Sequence, residues 1–304
     1  MYKTDIHVNI GSLTLKNPVM PASGAYGYYE DNANVFTMDK LGAIVVKSVH
    51  REKREGNPGP RIVEVEAGMI NSVGIPSGGI EKFIDSELDA LAKLNTPVII
   101  SISGGCPEDF IESAKMLDGI DKVGAIEINL SCPNVGSGLQ FASDEVLLGR
   151  VVQGVRSVTK HPIISKLSPN VTDIRKTASI SEDCGADAVT IANTFISMKI
   201  DIDKQKPVLG NIMGGLSGPA IKPINMRMVY QVWEAVKIPI IACGGITCWQ
   251  DAIEYILAGA SAVQVGCANF VNPLTMVEVV EGIDNYLHEK GCRSIDEIRG
   301  AAHL

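Results

Sequence analysis

A cysteine stands between two asparagines in the stretch INLSCPN, residues 128–134, where an apolar run gives way to a polar loop. Most free cysteines are small buried hydrophobes. Cys132 differs in its polar surroundings. A free thiol titrates near ~8.5, within reach of general-base work if a lysine or a helix terminus stabilises the thiolate. Pro133 fixes φ and removes a backbone donor, which stiffens the turn. No histidine lies within the motif, so a Cys–His protease arrangement lacks support.

Two lysines interrupt otherwise apolar runs: Lys47 in AIVVKSV (43–49) and Lys166 in PIISKLS (162–168). Lysine is rarely buried without a partner. Either each side chain snorkels to a surface, or the two cations face an anionic ligand or a developing negative charge. A Schiff base is a rival role for Lys166. Asn71, Asn129, Asn134 and Asn193 form a further set. An amide donates and accepts at once, which suits a flat ring such as a pyrimidine or a flavin. Singly, each is also ordinary turn chemistry. Finally, ACGGIT and QVGCANF carry Gly244, Gly245, Gly266 and Cys267. Glycines there let backbone N–H groups approach a phosphate.

The elements that must position these groups are short β-branched runs at 17–23, 43–49, 97–103, 125–131, 162–168, 188–194, 239–245 and 262–268. Continuous apolar runs suit parallel strands covered on both faces. Helical patterns such as 144–160 and 249–260 lie between them. Eight βα units predict an α/β fold, a (β/α)8 TIM barrel. The opening DIHVNIGSLTLKN alternates around Gly11-Ser12 and predicts a hairpin capping the barrel's bottom. Connections 50–96 and 195–238 are too long for plain βα links. They are long loop insertions after strands 2 and 6, at the C-terminal face where barrel active sites form. Nearly every run carries polar or glycine residues toward that end: Ser23, Lys47-Ser48, Ser101 and Ser103, Asn129 to Cys132, Lys166, Asn193-Thr194, Gly244-Gly245 and Gly266-Cys267. No linker or low-complexity tract divides the chain, so residues 1–304 read as one domain.

A net charge of −8 argues against a nucleic-acid surface. No apolar run approaches the ~20 residues of a membrane span, and the N-terminus lacks a signal pattern. Seven scattered cysteines without metal spacing point to a reducing cytoplasm rather than a disulfide framework, and to no zinc or iron–sulfur site in this chain.

At these residues the sequence resembles the dihydroorotate dehydrogenases along its whole length. NLSCPN is similar to that family's catalytic-loop motif, with the cysteine that marks class 1, the soluble branch. REGNPGPRIVE, GMINSVGIP and GGLSGPAIKPI resemble class 1B, the subtype that passes electrons to NAD through a partner subunit. The resemblance implies FMN as cofactor and dihydroorotate as substrate. Cys132 would take the C5 proton while C6 delivers hydride to the flavin. Lys47 would contact flavin and substrate. Asn71, Ser72, Val73, Gly74, Ile75, Asn129, Asn193 and Thr194 would hold the pyrimidine and its carboxylate. Ser23, Ser48, Ser101, Asn129, Lys166, Ile191, Gly218, Gly244, Gly245, Gly266 and Cys267 would hold FMN, with Lys166 neutralising the reduced ring. Three features depart from the family pattern: Ser101 replaces a frequent asparagine, Cys267 replaces a threonine, so that a hydroxyl is lost, and NSVGIPSGGIEKF differs from the usual continuation after the glycine, at Ile75.

The same resemblance implies a partner carrying FAD and a [2Fe–2S] cluster, docked on a homodimer of this chain as a heterotetramer. No G-x-G-x-x-G opens a helix after a strand, so this chain shows no dinucleotide fold of its own. The rival readings are a class 1A enzyme that reduces fumarate, an FMN barrel like dihydropyrimidine dehydrogenase, and a phosphate-binding lyase using Lys166 as a Schiff base.

Overall fold

A computed structural model describes residues 2–25, 27, 36–130 and 144–303. Cys132 and Asn134 lie outside these residues. The chain opens with a hairpin, β1 (Val8–Ile10) and β2 (Leu13–Leu15), paired antiparallel around Gly11 and Ser12. Alternation sets its faces: Val8, Ile10 and Leu15 are buried while Asn9 and Thr14 face solvent.

The apolar runs become the barrel strands β3 (Val19–Pro21), β4 (Ile44–Val45), β8 (Val98–Ser103), β9 (Val123–Asn129), β10 (Ile163–Lys166), β11 (Ala188–Ile191), β16 (Ile240–Cys243) and β17 (Ala262–Val265). They pair in parallel, in the order β3-β17-β16-β11-β10-β9-β8-β4, which is chain order around a ring. The seam between β3 and β4 is bridged where Gly42 N–H donates to Val19 O at 2.9 Å. A Cβ on Gly42 would come within 1.9 Å of Asn17 O, so this approach requires glycine. Strand two breaks at Lys47 and Ser48, then resumes as β5 (Val49–His50) against β8.

Helices cover the outside. Glu145–Val158 buries Leu148, Val151, Val152 and Val155, a stripe at helical spacing. It begins where the Asp144 carboxylate accepts from the N–H groups of Val146 and Leu147. Ile174–Asp183, Lys222–Trp233, Trp249–Leu257 and Thr275–Lys290 continue the layer.

The two long insertions do more than form loops. The first contains β6 (Ile62–Val65) and β7 (Gly68–Asn71). The second contains β12 (Phe195–Ser197), β13 (Ile200–Asp201), β14 (Lys206–Pro207) and β15 (Gly214–Ser217). They combine in one four-stranded antiparallel sheet, β12-β15-β7-β6. Asn71 pairs with Gly215 and Met69 with Ser217. A wall is thus tied across the barrel mouth by backbone hydrogen bonds between segments distant in sequence.

No helix among the described residues is long and apolar enough to cross a membrane. Among them there is also no group of three or more side chains able to hold a metal ion.

Candidate active site

The barrel interior places a buried polar network under the mouth. Glu127, on β9, is fully buried. Gln264, on β17, donates from Nε2 to Glu127 Oε2 at 2.6 Å. Lys166 Nζ, on β10, donates to Gln264 Oε1 at 2.8 Å and to Ser23 Oγ at 3.3 Å. It lies 3.9 Å from Glu127 Oε1. Side chains from strands so far apart around the ring meet only by pointing into the lumen. Burial pulls the Lys166 ammonium down, but the Cys243 sulfur and the Glu127 carboxylate outweigh it and hold its pKa above that of an ordinary lysine. A lysine held charged is a poor carbonyl nucleophile, which weighs against the Schiff-base role.

Above the network runs a line of hydroxyls and amides. Ser101 Oγ and Ser48 Oγ are 2.9 Å apart. Asn129 Nδ2 donates to Ser48 Oγ at 3.0 Å, and Asn193 Nδ2 donates to Asn129 Oδ1 at 3.0 Å. Asn193 Oδ1 in turn accepts from Thr194 N–H at 2.9 Å. Each amide is thereby fixed in plane and direction, the preorganisation that recognition of a flat polar ring requires. Opposite this line, β7 brings Asn71, whose Nδ2 donates to Gly215 O at 3.4 Å.

On the far side lie the glycine loops. Gly244 and Gly245 have φ of +120° and +73°, conformations that side chains rarely adopt. Gly24 and Gly266 leave open space at the wall. A Cβ on Gly24 would meet nothing within 4 Å, and one on Gly266 only Ala22 Cβ at 3.8 Å.

Most of these groups border one cavity that opens to solvent, the space inside it and at its mouth together amounting to about 1200 Å³. Its wall includes Ser23, Lys47, Ser48, Asn129 and Lys166 from the ends of β3, β4, β9 and β10. Asn193, Thr194, Gly244, Gly245, Gly266 and Cys267 come from the last three barrel strands. The insertions add Asn71, Val73, Gly74, Ile75 and Gly218. Lys47 is half-buried; burial first and the nearby Arg61 charge second lower its pKa. Burial pushes the Cys267 thiol up, so it stays protonated.

Among the described residues, three that the sequence suggests for the site do not border the cavity. Ser101 is fully buried and acts on Ser48 from behind. Ser72 is fully buried and accepts from Asn57 Nδ2 at 3.1 Å, while its neighbours Asn71 and Val73 border the cavity. Ile191 is fully buried in β11. Its following residue, Ala192, takes the cavity position instead.

Sequence reading passed over Glu127 and Gln264. Both interrupt apolar runs, AIEINLS and AVQVGCA, as the two lysines do, so the same signal was present. Met69, Ser217, Cys243 and Phe270 also border the cavity. Nothing in their local pattern marks them.

The residues present fit a phosphate-bearing flavin. The cavity is lined by hydrogen-bonded amides, by the Lys166 ammonium, and by glycine loops whose backbone can approach an anion.

The dihydroorotate dehydrogenase family model matches residues 5–287. Three relatives are each described as the catalytic subunit of dihydroorotate dehydrogenase B (NAD(+)). The protein from Bacteroides fragilis is 46% identical over 301 residues, covering 99% of both chains. That from Pelobacter propionicus is 48% identical over 300 residues, covering 98% of this chain and 99% of its own. That from Desulforamulus reducens is 48% identical over 303 residues, covering 99% of this chain and 100% of its own. A crystal structure of DHODH in complex with ferulenol from Eimeria tenella shares the fold, with a TM-score of 0.85 at 23% identity over 98% of this chain and 89% of that one. The barrel, the strand-end site and these full-length similarities together place the chain in the dihydroorotate dehydrogenase family.

Proposed function

We propose that this chain oxidises (S)-dihydroorotate to orotate in pyrimidine biosynthesis, as the FMN-bearing catalytic subunit of an NAD-linked dihydroorotate dehydrogenase. The observation that carries this reading is the single cavity that brings Lys47, Lys166, the amide line and the glycine loops together. The names of its full-length relatives support the NAD-linked form.

Bound FMN would supply the acceptor for the hydride leaving C6. The chain's own residues do the rest. Cys132 removes the C5 proton as general base. Asn71, Asn129 and Asn193 hold the pyrimidine flat, their amides matched to its alternating C=O and N–H groups. Lys47 pairs with the substrate carboxylate at the boundary with the flavin. Lys166 keeps a positive charge at the cavity, where negative charge builds up only as the reaction proceeds. Such an interaction lowers the barrier without tightening substrate binding. The antiparallel sheet of the insertions walls the cavity on one side and limits access of water.

Electrons then leave through another polypeptide carrying FAD and a [2Fe–2S] cluster, docked on a homodimer of this chain in the cytoplasm. The test is to assay the isolated chain with dihydroorotate and, in turn, a dye acceptor, NAD and fumarate. Dye reduction with negligible NADH, restored by adding the partner, is the expected result. Efficient NAD reduction by the isolated chain would overturn the partner, and efficient fumarate reduction would favour class 1A.

A further inference from the structure

The last two barrel strands end in the same unusual way. Cys243 O, at the end of β16, accepts from Ala192 N–H at 3.1 Å and from Asn225 Nδ2 at 2.7 Å. Val265 O, at the end of β17, accepts from Ala22 N–H at 2.9 Å and from Asn269 Nδ2 at 3.0 Å. One bond in each pair comes from the neighbouring strand and one from an asparagine on a following or preceding helix. Both asparagines are more than nine-tenths buried, and the Oδ1 of each has no hydrogen-bond partner. A buried orphan acceptor is a destabilising feature that a leucine or alanine would avoid. One residue further on, Gly244 O accepts from the Tyr255 hydroxyl at 2.8 Å.

In a trans peptide the C=O of one residue and the N–H of the next point in opposite directions. Drawing the Cys243, Gly244 and Val265 carbonyls back therefore turns the N–H groups of Gly244, Gly245 and Gly266 the other way. All three glycines border the cavity. Without the side-chain bonds, a glycine pair with this much conformational freedom could rotate those amides out of alignment.

We propose that Asn225, Asn269 and Tyr255 are positioning residues for a phosphate cradle. They act through strand-end carbonyls to aim three backbone amides at the phosphate monoester of the cofactor. This rests on the flavin reading above. None of the three touches the cofactor; their part is to fix donors that would otherwise lose direction. A preorganised donor set favours the phosphorylated flavin over its unphosphorylated form, because riboflavin offers these amides nothing to bind.

The test measures FMN and riboflavin dissociation constants by fluorescence quenching on the flavin-stripped full-length chain. The wild type is compared with Tyr255→Phe, Asn225→Leu and Asn269→Leu. Tyr255→Phe removes one hydroxyl and little else, so it keeps the test alive if an asparagine variant fails to fold. Each variant is expected to weaken FMN about 3- to 10-fold, the loss of roughly one aimed hydrogen bond, and to leave riboflavin unchanged. The phosphorus NMR signal of FMN bound to Tyr255→Phe is expected to shift from its wild-type position. Equal weakening of FMN and riboflavin, or an unmoved phosphorus signal with unchanged affinity, would overturn the positioning role. A wild-type chain that binds neither flavin would instead overturn the reading on which it rests.

Discussion

Lys166→Met removes the cation from the barrel floor and leaves Glu127 without its charge partner. Lys166 and Glu127 side chains are 4% and 0% exposed. A buried pair broken on one side costs about 3–5 kcal/mol, chiefly because the remaining charge stays desolvated. A chain of 304 residues shifts its melting temperature by about 2 °C per kcal/mol, so the variant should melt about 6–10 °C lower. Thermal unfolding followed by circular dichroism on the flavin-free chain reads this directly, without ligand linkage. Glu127→Gln should destabilise similarly, since it removes the carboxylate charge beside the buried ammonium. The double variant Lys166→Met/Glu127→Gln should recover a large part of the loss, because no uncompensated charge remains. A coupling energy below about 0.5 kcal/mol in that cycle would refute the network as a charge-paired unit.

Cys132→Ala should keep flavin and lose about 10²–10⁴-fold in dihydroorotate oxidation, as expected for a missing general base; Cys132→Ser should also be poor, and near-normal turnover of either across the working pH range would sink the assignment. Lys166→Ala should slow flavin bleaching in stopped flow at saturating dihydroorotate more than it weakens substrate binding; an unchanged limiting rate counts against it. The Lys166 pKa is raised on folding from an ordinary 10.5, so its stabilisation is present in full below that pH and fades as pH rises through the folded value. Urea unfolding above about pH 10.5 should therefore fall more steeply for the wild type than for Lys166→Met, and parallel curves would contradict it. Gly42→Ala puts a methyl 1.9 Å from Asn17 O at the barrel seam. It should destabilise by about 1–3 kcal/mol in the same unfolding experiment, and a neutral result would show that the seam can yield.

The barrel was legible because eight short runs are predominantly apolar without strict alternation, as parallel strands under helices tend to be. Cys132 stood out because its loop was polar, and the lysines because they broke apolar runs. What escaped was long-range. Glu127 and Gln264 carry the same signature as Lys166, but their meaning comes from meeting across the lumen, which no local window contains. The two insertions could be read as functional loops. Their union in one sheet depends on Asn71 finding Gly215, a pairing set by the barrel that carries both. That Ser72 and Ser101 do not line the cavity was hidden from a local reading for a related reason. Their residue types suit a site, but both are buried: Ser101 sits behind Ser48, which lines the cavity, and Ser72 bonds to Asn57, which does not.

The central claim is that this chain takes a hydride from dihydroorotate at the cavity between its amide line and its glycine loops. Anaerobic titration of the flavin-loaded chain with (S)-dihydroorotate tests it most directly, with no second subunit or external acceptor. One orotate should form for each flavin bleached, and dihydrouracil, which lacks the carboxylate, should leave the spectrum unchanged. A flavin that stays oxidised at saturating dihydroorotate, or that dihydrouracil bleaches equally well, would contradict the account.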